Sequence, residues 1–154
     1  MIYVHIPFCR SFCTYCDFYS EIASASCRGR ESLDRFARAL EKEVELRSGE
    51  IRNNLLDHET ADTLYIGGGT PSVLPLSVLE SLLDALHKAG VGKSFKEFTV
   101  EVNPDDIVEK GHSYVEGLLK LGVNRISMGI QSFDDGYRKS DDKSKSVVHG
   151  HHAE

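Results

Sequence analysis

The chain of 154 residues is short of basic side chains: eighteen lysines and arginines stand against twenty-four aspartates and glutamates, a net charge of −6. Binding to a phosphate backbone is carried by clustered lysine and arginine, so an acidic chain without that footprint excludes nucleic acid as a main partner. A long hydrophobic run is also missing. No stretch approaches the roughly 18 apolar residues that cross a bilayer. The opening MIYVHIPF is apolar but has no basic lead-in and no small-residue cleavage site, so it does not read as a secretory signal. The expectation is a cytoplasmic protein. In that compartment thiols stay reduced, and four cysteines, three of them within eight residues, point to metal or redox chemistry rather than to a disulfide framework. Internal sequence repeats are absent too, while a 40% hydrophobic content suffices for one core of domain size.

What is present is an alternation of β-branched runs and amphipathic stretches. IYVHI at 2–6, closed by Pro7, predicts a strand. Leu33, Phe36, Leu40 and Val44 recur at spacings of three and four and predict a helix over about 30–48. Thr63–Ile66 predicts a second strand, which runs into Gly67-Gly68-Gly69-Thr70-Pro71. Leu76, Leu79, Leu83 and Leu86 mark a second helix that stops near Gly90. Phe98–Val102 predicts a third strand, broken by Asn103-Pro104; a third helix carries Val115, Leu118 and Leu119 and stops at Gly122; Arg125–Ile130 predicts a fourth strand. Strands and helices in alternation, joined by short links, imply right-handed crossovers and a parallel sheet of the α/β class.

In such sheets and barrels ligands gather at the carboxyl ends of the strands. The unusual residues fall there: the cysteines after strand one, the glycines after strand two, Glu101 and Asn103 at the end of strand three, Gln131 after strand four. The alternation then stops. Residues 134–154, DDGYRKSDDKSKSVVHGHHAE, are polar and aperiodic and cannot bury enough apolar surface to offset their ordering entropy. A disordered tail is expected, in which His149, His151 and His152 are incidental. A parallel sheet that ends at its fourth strand leaves an uncovered edge, so residues 1–133 read as the N-terminal part of a larger domain.

Cys9, Cys13 and Cys16 form C-x3-C-x2-C. Three thiolates on one short loop can ligate three irons of a [4Fe–4S] cube and leave the fourth iron open to an external chelating group. Zinc is the competing ligand, with His5 completing a Cys3His set. Three unliganded thiols are the bland alternative. Cys27, eleven residues beyond Cys16, reads as an ordinary thiol.

YVHIPFCRSFCTYCDF, YIGGGTPS, EVNP and GVNRISMGIQSF, in that order over positions 3–133, resemble the radical S-adenosylmethionine (SAM) superfamily. The likeness is to the branch that holds oxygen-independent coproporphyrinogen III oxidase and the HemW-type heme chaperone. It implies a partial (βα)6 barrel of which about four strands are present. It further implies that Cys9, Cys13 and Cys16 hold a [4Fe–4S] cluster whose open iron is chelated by the amino and carboxylate groups of SAM. Tyr15 matches the aromatic position beside the adenine, and Gly68, Gly69 and Thr70 match the motif lining the methionine part, where glycines let the backbone approach and offer their N–H groups. Tyr3, Glu101 and Gln131 match further SAM-contacting positions. An electron through the cluster would cleave SAM to methionine and a 5′-deoxyadenosyl radical, with the protein supplying orientation and shielding.

Within that branch the oxidase has an additional cysteine two residues after its third ligand, where this chain has Phe18. The resemblance therefore leans to the chaperone, with heme as cargo, a respiratory enzyme as recipient, an electron donor such as flavodoxin or NADH, and a membrane-peripheral location when complete. Decarboxylation of coproporphyrinogen III is the runner-up, and an iron–sulfur or zinc module without SAM chemistry the third possibility. After GIQSF the family supplies an arginine for the SAM carboxylate and an aspartate for its ribose. Lys143 stands where the arginine is expected, and neither has a visible equivalent, so weakened SAM and heme binding is expected of this chain alone.

Overall fold

The β-branched runs form the parallel strands that their composition predicts, joined in sequence order. The structure, a computed structural model, describes residues 1–11, 16–17, 19–23, 27–56, 63–92 and 94–130 and the pair His152–Ala153. Its elements are β1 (Ile2–Ile6), β2 (Phe8–Cys9), β3 (Glu21–Ile22), α1 (Cys27–Leu46), α2 (Ser48–Leu56), β4 (Thr63–Gly68), a 3-10 turn (Pro71–Val73), α3 (Leu76–Lys88), β5 (Glu97–Val102), α4 (Pro104–Lys120), β6 (Arg125–Gly129) and β7 (His152–Ala153). The main sheet runs β1-β4-β5-β6-β7, and its first four strands are parallel. Its register sets Tyr3 beside Tyr65, Tyr65 beside Thr99, and Glu101 beside Ser127. Strands β2 and β3 form a separate two-residue parallel ladder at the base of the cysteine loop.

Alternation along each strand sorts side chains onto two faces. Val4, Ile6, Leu64, Ile66, Phe98 and Val100 are buried on one face, and α3 brings Leu79, Leu82, Leu83 and Leu86 into the same core. Helix α4 adds Tyr114 and Leu118, and α1 adds Val44, with Leu33, Phe36 and Leu40 partly buried beside it. The other face carries Tyr3, His5, Tyr65, Glu101 and Ser127 and has no helix over it among the described residues.

Three details depart from the sequence pattern. The helix expected over 30–48 is α1, ending at Leu46, and a second helix not expected from the pattern, α2, follows a turn at Arg47, which pairs with both Glu43 and Glu50. Helix α4 begins at Pro104, where the Asn103 side chain accepts the Asp105 N–H at 2.8 Å, an N-cap followed by a proline whose missing N–H costs nothing there. It bends at Gly111, where the backbone leaves helical angles (φ 68°, ψ −168°). Leu119, grouped by its neighbours with the core stripe, is 64% exposed, because one residue is about 100° of helical rotation and the buried pair Tyr114–Leu118 already occupies the stripe.

The last edge, expected to be bare, is covered over two residues: His152–Ala153 pairs antiparallel with Met128–Gly129. The remainder of the segment 134–154 lies outside the described residues. Among the described residues no helix is long and apolar enough to cross a membrane.

Truncating Leu118 to alanine should cost about 2–5 kcal/mol, the usual range for a fully buried leucine. Leu119→Ala, one position on, should stay within about 0.5 kcal/mol of the unaltered chain. Urea denaturation of both variants checks the contrast.

Candidate functional site

Pro7 ends β1 and turns the chain into β2, and the loop that follows is closed at its base by backbone. Glu21 N–H donates to the Pro7 carbonyl at 2.7 Å, and Ala23 N–H to that of Cys9 at 2.8 Å. Cys9 is partly buried on this ladder and Cys16 is exposed; both are free thiols. Cys13, Tyr15 and Phe18 lie outside the described residues, as does Gln131. Among the described residues no three His, Cys, Asp or Glu side chains form a metal-binding group, so His5 is not gathered with Cys9 and Cys16 into a zinc set there. Its Nδ1 is instead 3.0 Å from the Tyr3 hydroxyl.

The glycine turn leaves the end of β4 and packs against the junction of β1 and β2. Gly69 N–H donates to the Ile6 carbonyl at 2.7 Å and Thr70 N–H to the Phe8 carbonyl at 2.6 Å. A methyl group on Gly69 would sit 2.5 Å from the Phe8 carbonyl oxygen and 3.0 Å from Cys9 Sγ. On Gly68, whose φ is +117°, it would sit 2.7 Å from the His5 ring. Side chains are therefore excluded on two counts: contact, and a backbone conformation that L-residues rarely adopt. The turn thus lies against the first cysteine with no side chain between. Its N–H groups, expected to be free for a ligand, are spent inside the protein, that of Gly68 on Glu101 Oε2 at 2.9 Å. What the glycines allow is close packing of the turn against the start of the cysteine loop.

Glu101 closes the site from the third parallel strand. Its Oε1 accepts the Tyr65 hydroxyl at 2.7 Å, so both oxygens are held. The Tyr3 and Tyr65 rings are 6.0 Å apart on neighbouring strands. Burial, then the hydrogen bond and charge of Glu101, push the Tyr65 phenol up to about 12. Burial and the same carboxylate raise Tyr3 as well. The described residues thus bring Cys9, Gly68, Gly69, Thr70 and Glu101 to the carboxyl ends of three adjacent strands, while Tyr3 sits nearer the amino end of β1, beside Tyr65. Tyr65 and His5 join them, and neither is singled out by the sequence as part of the ligand wall. The available signal was parity: Tyr65 is two residues before Gly67 and shares the open face with Tyr3.

The residues present fit an iron–sulfur cluster with an adjoining ligand. Cys9 is pinned against the glycine turn, and Glu101, held on both oxygens, accepts the Gly68 N–H of that turn from β5.

Comparison with known proteins follows the same lines. The family model described as the radical SAM superfamily matches residues 3–147. The chain is 36% identical over 146 residues to the heme chaperone HemW of Lactococcus lactis subsp. lactis, covering 95% of this chain and 34% of that protein. It is 36% identical over 137 residues to the HemW of Bacillus subtilis, covering 86% of this chain and 32% of the relative. Among solved structures, that of coproporphyrinogen III oxidase (HemN) from Escherichia coli, reported as a radical SAM enzyme, superposes with a TM-score of 0.73 at 28% identity, covering 94% of this chain and 30% of that one. The chain spans about a third of the length of the curated relatives it matches.

The Tyr65 phenol generates a pH prediction with a definite sign. Its folded pKa lies above the ordinary value of 10.0, so its contribution to stability is complete below pH 10 and is lost as pH rises through about 12. Ultraviolet phenolate titration should show a transition near pH 12 that vanishes in Tyr65→Phe and moves down in Glu101→Gln.

Proposed function

The chain belongs to the radical SAM superfamily, and on that premise we propose that it holds a [4Fe–4S] cluster on Cys9, Cys13 and Cys16, binds SAM beside it, and serves heme handling as a HemW-type chaperone does. The observation that carries the proposal is the seam between Gly69–Thr70 and Phe8–Cys9, which puts the first thiolate and the ligand cradle in direct contact. When bound, the cluster would supply the single electron needed for reductive cleavage of SAM.

The chain's own residues have separable parts in this. Cys9, Cys13 and Cys16 would hold the cluster and leave one iron open for SAM. Gly68 and Gly69 let the turn pack directly onto His5 and Cys9, so that its backbone would line the methionine portion, and Glu101, held by Tyr65 and the Gly68 N–H, presents a carboxylate to a ligand donor. Tyr15 supplies aromatic surface for the adenine, and Tyr3 and Gln131 further contacts to SAM. Thr70, buried where the turn enters the 3-10 segment, keeps the cradle in place.

Phe18 favours the chaperone over the oxidase, since a phenyl ring cannot replace the thiol found at that position in the oxidase. In this reading heme is the cargo, a respiratory enzyme the recipient and flavodoxin or NADH the electron donor, in the cytoplasm and at the membrane surface. The fold shared with HemN supports the second reading, oxidative decarboxylation of coproporphyrinogen III.

Anaerobic reconstitution with iron and sulfide, followed by EPR of the reduced protein, tests the proposal. A [4Fe–4S] signal that shifts on adding SAM, and is lost when Cys9, Cys13 or Cys16 is replaced by alanine, is expected. Retention of zinc with no cluster overturns it. Heme titration then separates the two functions: heme binding without coproporphyrinogen decarboxylation is the chaperone outcome, decarboxylation the oxidase outcome.

A further inference from the structure

Arg10 directly follows the first cysteine, and its side chain reaches across the molecule to α4. There it meets Asp106, whose side chain is 0% exposed. A carboxylate so buried is tolerated only when it is paired and hydrogen-bonded. Asp106 has two partners: the Ser72 hydroxyl donates to Oδ2, and Arg10 Nε forms an ion pair with Oδ1, which accepts no hydrogen bond. The guanidinium is held a second time, Nη1 donating to Glu109 Oε2 at 2.5 Å.

Ser72 lies in the 3-10 turn that continues the glycine segment. Its Oγ also accepts the Asn103 N–H at 2.9 Å, from the cap of α4. One turn into α4, Lys110 donates to the Ser72 carbonyl and, at 3.1 Å, to that of Leu74, while its amine lies 4.4 Å from the centroid of the Tyr114 ring. The first turns of α4 therefore grip two segments far apart in sequence: the glycine turn through Ser72, and the cysteine loop through Arg10.

We propose that Arg10 is a positioning residue that, through Asp106 and Ser72, locks Cys9 in register with the glycine turn before any cofactor arrives. The consequence for function, that the lock sets how firmly the cluster is retained, rests on the assignment of Cys9 as a ligand. The physical need is evident from the loop. Beyond Cys9 its return is secured by a two-residue ladder, too short to hold a geometry alone. A guanidinium that meets the buried Asp106 with Nε and donates to the exposed Glu109 with Nη1 supplies the missing orientation. Lysine, a point charge, supplies the attraction without the two-edged grip.

Two measurements on the full 154-residue chain separate this role from plain stabilisation. In the metal-free protein, Arg10→Gln should speed hydrogen exchange of the Gly69 and Thr70 amides by about tenfold or more while α3 amides keep their rates, with Arg10→Lys between. In the reconstituted protein, iron should pass to a chelator about tenfold faster from Arg10→Gln, whereas Arg47→Gln, a surface ion pair elsewhere, changes neither readout. Asp106→Asn is the sharper lesion, and Arg10→Gln, at a part-exposed side chain, keeps the test valid if that variant does not fold. Unchanged exchange at Thr70, or an equal rise throughout α3, overturns the lock. Faster exchange at Thr70 in a chain that takes up no cluster upholds it and overturns the cluster assignment instead.

Discussion

The contact on which the site depends is the backbone seam between the glycine turn and the end of β1. Gly69 and Thr70 donate to the carbonyls of Ile6 and Phe8, and the approach is so close that no Cβ fits at Gly69. The seam extends the β1–β4 pairing beyond the strands themselves. It converts a register set by apolar burial into a fixed place for the first cysteine. A one-residue slip of β4 would send Tyr65 into the core and Leu64 out of it, so the cost of misplacing the turn is shared by the whole sheet. Precision at the site is thus inherited first from the hydrophobic core, to which the Arg10–Asp106 contact of the loop is added.

The open face shows the complementary arrangement. Tyr3, His5, Tyr65, Glu101 and Ser127 occupy strand positions that would face the core if the parity were shifted, and none is apolar aliphatic. Glu101 keeps its carboxylate oriented by taking one donor from a side chain and one from backbone. Such pre-set polar groups on rigid strands, beside a cradle made by glycine, suit a superfamily in which the cofactor performs the chemistry and the protein positions and shields it.

Much of this was legible in the linear chain. The strand–helix alternation is carried by local periodicity, and helix stops at Gly90 and Gly122 follow from backbone conformation at single residues. The cysteine spacing and the glycine run are local signals too, which is why the superfamily could be identified from them. Periodicity failed where one turn of helix holds two leucines: Leu118 and Leu119 are equivalent in composition, and the contact with the sheet alone decides between them. Similarly, no local signal tells that the N–H groups of Gly68, Gly69 and Thr70 are consumed within the protein.

By itself the sequence determined the class of the fold, the superfamily, and the order and spacing of the cysteine and glycine motifs, because each depends on residues close together in the chain. Only tertiary structure decided that Tyr65 would orient Glu101, that His5 would pair with Tyr3, and that Arg10 would reach Asp106. Those pairs join segments on different elements or turn on the face that a strand presents. Their energies exist only once the sheet has brought the partners together and removed the water between them.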